Sequence, residues 1–437
     1  MLELKFDARK QLKIRLRAQS PMIHFQACDG GPNGVTQKTN GKETTGHIGG
    51  GLSGVTLRAS EVRPQLDKYI FRRIAGIAPG EEFSADHLLK VKKDLLKREE
   101  YQDIFSDPEK ANYALKYKMS IQVDADAKVT CVTLENEKKY SAYMSFFGNA
   151  GKTPRMMGVL CDPILTITCF NEHVRGLIVK YLKDFFFVTN FGTRQGKGFG
   201  SYVLDGSERE EANVVQALKE NYGAKACYRM QVKNPSKERC FADYFDNIGN
   251  FAQIMKSGIN HKVYIKGYIF KYMLENKPSI GNDKKWMKIN GILPCDSIRS
   301  NDVNGNYKYV RAMLGTTNRI KIKNETEIEI KDAGKDNTIF ERVPSPVFYK
   351  IIDKNIYIVA GRIPKDLYNH VFAFAVKKSA QNKSPNSKSN SAKKSSGTLP
   401  TPDTFDIDDF MEKYVVYYNN EVDVKHLNFL KKVQEVS

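Results

Sequence analysis

The first regular pattern along the chain is a strict alternation of aliphatic and basic residues at 11–18. Three aliphatic residues alternate there with three cations: Leu12, Lys13, Ile14, Arg15, Leu16 and Arg17. Successive side chains of a strand point to opposite faces, so this period of two predicts a strand with one buried and one cationic face. A sheet surface carrying those cations could serve as a platform for RNA.

Helical periodicity follows the first strand. Apolar residues recur at helical spacing in one segment: Val62, Leu66, Tyr69, Ile70 and Ile74. Ser60 is positioned to cap that helix at its N-terminus. A second helix, basic on its outer side, is predicted at 86–98, and two alternating runs within 113–134 predict a hairpin.

An apolar strand at 159–170 leads to Asn171, which can cap a helix over 172–187. A glycine-rich loop and a short strand at 201–204 follow. The element order is then strand, helix, two or three strands, helix and strand. This is the ferredoxin-like order of RNA-recognition folds, so we predict an α+β protein whose first domain, 1–233, is ferredoxin-like (RRM-like).

The pattern changes beyond residue 233, where a second, smaller α+β domain is predicted at 234–376. Its predicted elements are two helices within 241–276 and strands at 319–331, 347–360 and 371–377. A flexible linker is predicted at 377–403, because this segment is rich in lysine and serine and has too few apolar residues to offset the entropy of ordering. An acidic helical tail, suited to a protein partner, is predicted at 404–437.

The glycine-rich loop at 190–202 carries the strongest candidate chemistry. It mixes glycines with cations and one aromatic residue: Gly192, Arg194, Gly196, Lys197, Gly198, Phe199 and Gly200. Glycine permits positive φ and close approach, so such a loop could wrap its amides round phosphates while its cations neutralise them. Phe199 could contact a base or a sugar. A glycine-rich hairpin turn with solvated charges is the alternative explanation.

Composition narrows the class of partner. The chain has 69 Lys and Arg against 50 Asp and Glu, a net charge of +19, which attracts polyanions. Nucleic acid is the leading partner, and an anionic membrane surface is the second. No apolar run approaches the roughly 20 residues that span a bilayer, and the N-terminus does not resemble a signal sequence, so we expect a cytoplasmic protein without membrane contact. The seven scattered cysteines predict neither a disulfide framework nor a zinc site, and no metal or cofactor is expected.

Three residues are candidates for catalysis. His24 or His47 could act as general base on a ribose 2′-hydroxyl in a metal-free cleavage. Asp29 could help a metal ion to activate water for RNA cleavage. A loop histidine is also an ordinary polar surface group, and Asp-Gly-Gly is also ordinary turn chemistry, so neither catalytic role is required.

Three separated segments together resemble the repeat-associated mysterious protein (RAMP) superfamily of CRISPR systems. Residues 20–24, Ser-Pro-Met-Ile-His, resemble the family's Ser/Thr-Pro-Leu segment after the first strand. Residues 57–64 resemble the segment that leads into its first helix. The loop at 192–200 is similar to the RAMP glycine-rich loop in composition and in position. The resemblance covers roughly the first 205 residues.

The resemblance implies a modified ferredoxin-like fold that binds CRISPR RNA inside a multisubunit effector or cuts its precursor. We favour a guide-RNA-binding subunit of a type III-like interference complex, with CRISPR RNA, target RNA and other effector subunits as partners. Phosphates would be held by cations, one hydroxyl and loop amides, namely Arg58, Ser60, Arg63, Arg194, Lys197, Gly192, Gly196, Gly198 and Gly200. His24 and Phe199 would touch a sugar or base.

Two alternatives stay open at this point. The first is a metal-independent endoribonuclease that processes precursor CRISPR RNA, with His24 or His47 as base and Lys197 or Arg194 steadying the phosphate. The second is an interaction protein that docks a partner through its acidic C-terminal helix and whose positive charge is incidental.

Overall fold

A computed structural model of the chain describes sixteen stretches of residues. They are 3–23, 44–46, 56–78, 80–81, 84–107, 112–123, 129–133, 157–232, 241–260, 264–293, 305–322, 326–334, 340, 342–377, 396–422 and 432–437. Internal contacts group the chain into two compact units. Unit 1 comprises Met1–Asn250, Phe348–Ala360 and Phe429–Ser437, and unit 2 comprises Phe251–Val347 and Gly361–Asn428.

Both units contain helices and strands. The α-helices of the described residues are α1 (Ala59–Ile74), α2 (Ala85–Leu96), α3 (Glu172–Val188), α4 (Glu211–Tyr222), α5 (Ala242–Lys256), α6 (Tyr268–Asn276), α7 (Asp283–Ile289) and α8 (Ile407–Asn420). The strands up to residue 231 are β1 (Gln11–Ala18), β2 (Thr44–Gly46), β3 (Phe105–Asp107), β4 (Asn112–Leu115), β5 (Lys118–Gln122), β6 (Val129–Thr133), β7 (Met157–Leu160), β8 (Ile164–Thr168), β9 (Tyr202–Leu204) and β10 (Cys227–Gln231). Those beyond it are β11 (Gly258–Asn260), β12 (Tyr264–Lys266), β13 (Ile280–Asn282), β14 (Asn306–Lys308), β15 (Arg319–Ile322), β16 (Thr326–Asp332), β17 (Val347–Ile352), β18 (Asn355–Ala360), β19 (Val371–Lys377), β20 (Ser396–Pro400) and β21 (Val433–Val436). The predicted α+β class is confirmed.

The first sheet of unit 1 is antiparallel, with the strand order β5-β8-β1-β9. Its central strand β1 has the predicted alternation: the aliphatic residues are buried and the three cations are exposed. Helices α1 and α3 contact each other, and they contact β5 and β9 respectively. The aliphatic face of β1 therefore contributes to the core of this sheet, and the cationic face is left to solvent.

The two main helices of this sheet begin differently. The Asn171 side chain accepts a hydrogen bond from the N–H of Val174 at 2.8 Å, so the predicted cap of α3 is present. The N-cap residue of α1 is Arg58, whose side chain makes no capping hydrogen bond. Ser60 lies exposed inside the first turn of α1, so the predicted Ser60 cap is wrong. A capping oxygen must precede the first helical residue, and here the helix already starts at Ala59.

The predicted hairpin within 113–134 is also wrong. Strand β5 pairs with β8, whereas β6 pairs with β2 and β7. Alternation predicts which face of a strand is buried, but it leaves the pairing partner open.

The second sheet of unit 1 has the order β17-β18-β10-β21. In chain order its strands are β10, β17, β18 and β21, so both sheets have their strands in the order second, third, first, fourth. Strands β17 and β18 form a hairpin that turns at Asp353, where φ is +52°. The last strand, β21, pairs with β10, so residues 433–436 of the predicted helical tail form a strand instead.

Unit 2 holds the sheet β15-β16-β19-β20 and the helices α6, α7 and α8. Residues 396–400, within the predicted linker, form the edge strand β20. Helix α8 is not an exposed acidic tail, because Phe410 and Tyr414 are buried and the Asp409 carboxylate accepts a hydrogen bond from Tyr272 at 2.8 Å. Among the described residues, no helix has the length and apolar character needed to cross a bilayer.

The N-cap of α3 provides a first test of the fold. We expect Asn171→Ala to lower the free energy of unfolding by about 1 kcal/mol, because the N–H of Val174 would lose its acceptor. Urea denaturation of both chains measures this difference. Asn171→Ser keeps a capping oxygen and should recover most of the loss. Equal stability of Asn171→Ala and the parent chain would contradict the assignment.

Candidate nucleic-acid interface

The glycine-rich loop packs against the Ser-Pro segment that follows β1. The Ser20 hydroxyl donates to the Gly198 carbonyl at 2.6 Å and accepts from the N–H of Ser201 at 2.9 Å. The N–H of Gly200 donates to the Pro21 carbonyl at 2.9 Å. Two segments about 180 residues apart in sequence are thus joined through the completely buried Ser20.

The start of α1 joins the same loop. The Glu61 carboxylate, in the first turn of α1, accepts a hydrogen bond from the N–H of Gly192 at 3.2 Å. The N–H of Thr193 donates to the Ile23 carbonyl at 2.8 Å. All three segments that resemble the RAMP superfamily therefore meet in one place in unit 1.

The loop needs its glycines for folding. A Cβ atom at Gly200 would lie 1.9 Å from the Phe191 carbonyl oxygen, and φ at Gly200 is +68°. At Gly192, φ is +76° and a Cβ atom would lie 2.6 Å from the Ile23 carbonyl oxygen. No side chain larger than hydrogen fits such contacts, and L-residues rarely adopt such angles.

The loop amides are mostly engaged inside the protein. The N–H groups of Gly192, Gly198 and Gly200 donate to Glu61, to the Gln195 carbonyl and to the Pro21 carbonyl, respectively. The prediction that these three amides hold phosphates is therefore wrong, because their hydrogens already have acceptors. Gly196 differs, since a Cβ atom there would meet nothing within 4 Å. At Gly196 the loop faces open space.

Strand β17 supports the other side of the loop. The Asn190 amide donates to the Tyr349 carbonyl at 2.9 Å and to the Gln195 carbonyl at 2.7 Å. The Ser201 hydroxyl donates to the Ile351 carbonyl at 2.6 Å. The loop therefore lies between the Ser-Pro segment and a strand about 150 residues further along the chain.

A buried lysine completes this support. The Lys350 ammonium, with no exposed surface, donates to the Thr189 carbonyl at 2.7 Å, to Asn190 Oδ1 at 3.2 Å and to the Tyr202 carbonyl at 3.4 Å. Complete burial lowers the pKa of Lys350 well below its ordinary value. Lys350 binds both ends of the loop and so fixes their separation.

Phe199 belongs to the core. Its side chain has no exposed surface, and its ring stacks on Phe245 of α5 with 3.8 Å between the ring centroids. The prediction that Phe199 contacts a base or sugar is therefore wrong. Burying an aromatic ring in unit 1 stabilises the fold and leaves no face for a ligand.

The predicted cations differ in their surroundings. Arg194 is exposed at the tip of the loop, in the left-handed region at φ +61°. Lys197 is half-buried, with its Nζ 5.6 Å from the centroid of the Tyr349 ring. Arg58 is half-buried at the start of α1. The bond between Glu61 and Gly192 brings the segments that carry Arg58 and Arg194 together.

Arg63 points elsewhere. Its guanidinium donates to the Leu115 carbonyl at 3.2 Å and lies 4.9 Å above the Tyr117 ring. Arg63 therefore contacts the segment before β5. The catalytic candidates His24, His47 and Asp29 lie outside the described residues. The described residues contain no group of three or more His, Cys, Asp or Glu side chains that could hold a metal ion.

One carboxyl of α5 is unusual. Oδ1 of Asp246 is buried and lacks a hydrogen-bond partner among the described residues. Burial, with the nearby charge of Asp243, raises the pKa of Asp246 to about 6. Asp246 follows Phe245, so this carboxyl lies next to the ring that supports the loop.

Comparisons with known proteins identify the family. Residues 47–259 match the family model of the Cmr1 N-terminal domain, and residues 264–435 match that of the Cmr1 C-terminal domain. The chain belongs to the Cmr1 family. This Cmr1 family member is a RAMP subunit of type III CRISPR systems, and the resemblance stated from the sequence is confirmed.

A search of solved structures found the crystal structure of Cmr1 from Pyrococcus furiosus in its apo form. The two chains are 10% identical, the match covers 81% of this chain and 89% of that chain, and the TM-score is 0.31. No curated protein matches the chain.

Sequence reasoning missed Lys350 in this Cmr1 family member. A signal was present, because Lys350 is the one charged residue in the otherwise apolar run Val347–Ile352. A lysine in a fully buried strand needs hydrogen-bond acceptors. Its position therefore predicts that oxygen atoms from another part of the chain lie close to its ammonium group.

The core position of Phe199 is testable. We expect Phe199→Ala to lower the free energy of unfolding by about 3–5 kcal/mol, because it removes a buried, stacked ring. Chemical denaturation measures this loss. Phe199→Leu should cost clearly less. An unchanged stability together with weakened RNA binding would restore Phe199 as a ligand contact.

The Asp246 carboxyl gives a pH-dependent prediction. Its pKa is higher in the folded chain than the ordinary 3.8, so the folded state holds the proton more tightly, and stability is lost as pH rises from about 4 to about 6. Asp246→Asn should therefore gain stability relative to the parent chain over this window. We expect about 1 kcal/mol at neutral pH, because partial exposure lets solvent screen the charge.

Urea denaturation across this pH range checks the gain. The same substitution at the exposed Asp86 controls for loss of a surface carboxylate. If the effect of Asp246→Asn did not change with pH, burial of an ionisable carboxyl would not be its cause.

Proposed function

We propose that this Cmr1 family member binds the backbone of guide RNA in a type III-like CRISPR effector complex, with no catalysis required of it. The observation that carries this proposal is the meeting of the start of α1 with the glycine-rich loop through Glu61 and Gly192. This bond joins the segments that carry Arg58 and Arg194, which supports a shared binding surface. The other effector subunits would be its protein partners.

The strand order supports a ferredoxin-like interpretation of the first sheet. Read across the sheet, β5, β8, β1 and β9 are the second, third, first and fourth strands in chain order, and α1 and α3 are the connecting helices. The glycine-rich loop lies between the second of these helices and the last strand. This position is the one expected for a RAMP domain.

Side chains, and not amides, would make the phosphate contacts. Arg194 and Arg58 are long cations that reach a phosphate without a fixed backbone geometry, and the ring of Tyr349 restrains Lys197. Ser60 is exposed on the first turn of α1, where its hydroxyl could join them. Gly196 would let the RNA approach the loop closely, because open space lies where its side chain would be. Contacts of this kind position an RNA strand without selecting its sequence.

Charge removal tests the proposal. We expect Arg58→Ala, Arg194→Ala and Lys197→Ala each to weaken binding of single-stranded RNA. The slope of log affinity against log salt should shrink by about 0.7 for each phosphate contact removed. Fluorescence anisotropy across a salt series measures both quantities. Lys90→Ala, which removes an exposed lysine of α2, is the matched control and should leave the slope unchanged.

Two results would contradict this function. The first is unchanged RNA affinity in the double variant Arg194→Ala with Lys197→Ala, which would favour a protein-interaction role. The second is cleavage of labelled repeat RNA in EDTA that is lost in His24→Ala or His47→Ala. That result would replace the binding function with the endoribonuclease alternative.

A further inference from the structure

Phe170 is an exposed aromatic side chain in a fixed position. Its exposed fraction is 79%, against 58% for Tyr264 and 60% for Leu274. The preceding residue, Cys169, donates its N–H to the Lys10 carbonyl at 3.0 Å and its thiol to the Lys116 carbonyl at 3.3 Å. These two hydrogen bonds fix Cys169, so the backbone next to Phe170 is ordered although the Phe170 ring lies in solvent.

The carbonyl of Phe170 is also engaged. It accepts a hydrogen bond from the Arg175 guanidinium at 2.9 Å, and Asn171 immediately caps α3. A side chain next to a helix cap and a strand end has little backbone freedom. Binding a ligand there would therefore cost little ordering entropy.

Phe170 continues one face of the first sheet. Leu165, Ile167 and Cys169 are buried on one face of the sheet. The residues that alternate with them, Thr166, Thr168 and Phe170, therefore lie on the opposite face. The register pairs Lys13 with Thr166 and Lys118 with Thr168. We call this surface the open face, defined by its exposed strand residues and Phe170: Lys13, Arg15, Arg17, Lys118, Ser120, Gln122 and Phe170.

The charges of the open face favour an anionic occupant. Lys13, Arg17 and Lys118 are exposed there. The Arg15 guanidinium donates to the Asp162 carbonyl at 3.5 Å, so Arg15 is held at the end of the face. Two carboxylates lie at this edge: Asp162 accepts a hydrogen bond from the N–H of Ala18 at 2.8 Å, and Asp205 donates its N–H to the Arg15 carbonyl at 2.9 Å. The Asp103 carboxylate lies close to Phe170 in the fold, because it accepts a hydrogen bond from the Asn171 amide at 2.8 Å. The seven residues that define the open face nevertheless include four cations and no carboxylate, which matches a partner that carries phosphates and flat bases.

We propose that the open face is a second contact for single-stranded RNA, in which Phe170 stacks on a base while Lys13, Arg17 and Lys118 neutralise phosphates. Stacking on an aromatic ring is tolerant of base identity, and phosphate contacts are independent of sequence. The proposal rests on the proposed function only in taking RNA as the ligand of the chain.

The two contacts lie at opposite ends of β1. Phe170 is next to the start of this strand, and the glycine-rich loop is next to its end, through the bond from the N–H of Gln19 to the Ser201 carbonyl. A strand of eight residues separates them by roughly 23 Å at about 3.3 Å per residue. One RNA strand of several nucleotides could therefore reach both.

Oligouridine is the probe for RNA binding, and it should be longer than the roughly 4–16 nucleotides that a single-strand binding site covers. We expect Phe170→Ala to weaken its binding to the full chain at least about fivefold, with an unchanged salt slope, because the ring carries no charge. Phe170→Tyr should bind like the parent chain. The double variant Lys13→Ala with Lys118→Ala should reduce the salt slope instead. Fluorescence anisotropy at several salt concentrations provides these values.

Tyr264→Ala is the control, because it removes another exposed aromatic ring, in unit 2. Thermal melting should be unchanged for Phe170→Ala, since the ring is mostly in solvent. RNA affinity equal to that of the parent chain would overturn the proposal. So would a variant that binds RNA normally but fails to assemble with other type III subunits, because the open face would then be a protein interface.

The two RNA proposals fail separately. If Phe170→Ala weakens binding while Arg194→Ala with Lys197→Ala does not, the open face binds RNA and the glycine-loop site does not. The reverse result leaves the glycine-loop site and overturns the open face. Unchanged affinity in both variants overturns both.

Discussion

The glycine-rich loop depends on one buried ammonium group. Lys350 donates hydrogen bonds to Thr189 and Asn190 before the loop and to Tyr202 after it. Burying a charged group costs several kcal/mol, and the lowered pKa of Lys350 indicates that its three oxygen acceptors offset only part of that cost. Ser20 makes the matching contacts on the other side of the loop. Each side of the loop is therefore held by hydrogen bonds from one polar side chain.

The tasks within the loop are divided between glycines and cations. Gly192 and Gly200 are placed where a Cβ atom would collide with backbone, so their role is to let the chain fold tightly. Their N–H groups are used inside the protein, and the surface that remains is made of side chains such as Arg194. A glycine-rich sequence that suggests an amide cradle can instead be a compact support for charged side chains.

Local signals in the sequence were sufficient for much of the first sheet. The alternation at β1 and the cap at Asn171 are properties of neighbouring residues, and both are present. Pairing partners are not local properties, which is why the predicted hairpin within 113–134 was wrong while its strands exist. The contacts of Ser20 and Glu61 with the loop were not predicted, because they join segments far apart in sequence and leave no local pattern.

At the candidate site, the main error of the sequence-based prediction concerned which side chains are buried. Phe199 lies among glycines and cations in sequence, which suggests exposure, but Phe245 comes from a helix more than forty residues later and covers it. The open face shows the opposite case. The cations of β1 were evident from alternation, whereas the exposure of Phe170 depends on where β8 ends and α3 begins. An aromatic residue at the end of an apolar run looks like core until that boundary is known.

The return of residues 348–360 to unit 1 has a consequence for synthesis on the ribosome. The loop emerges with Phe199 and Ser201, but the strand that accepts its hydrogen bonds is about 150 residues behind it. Translation adds about 5–20 residues per second, so the nascent loop lacks that strand for a time on the order of ten seconds. During this interval the Asn190 amide and the Ser201 hydroxyl lack the carbonyl acceptors of β17, and a chain interrupted before residue 348 would never supply them.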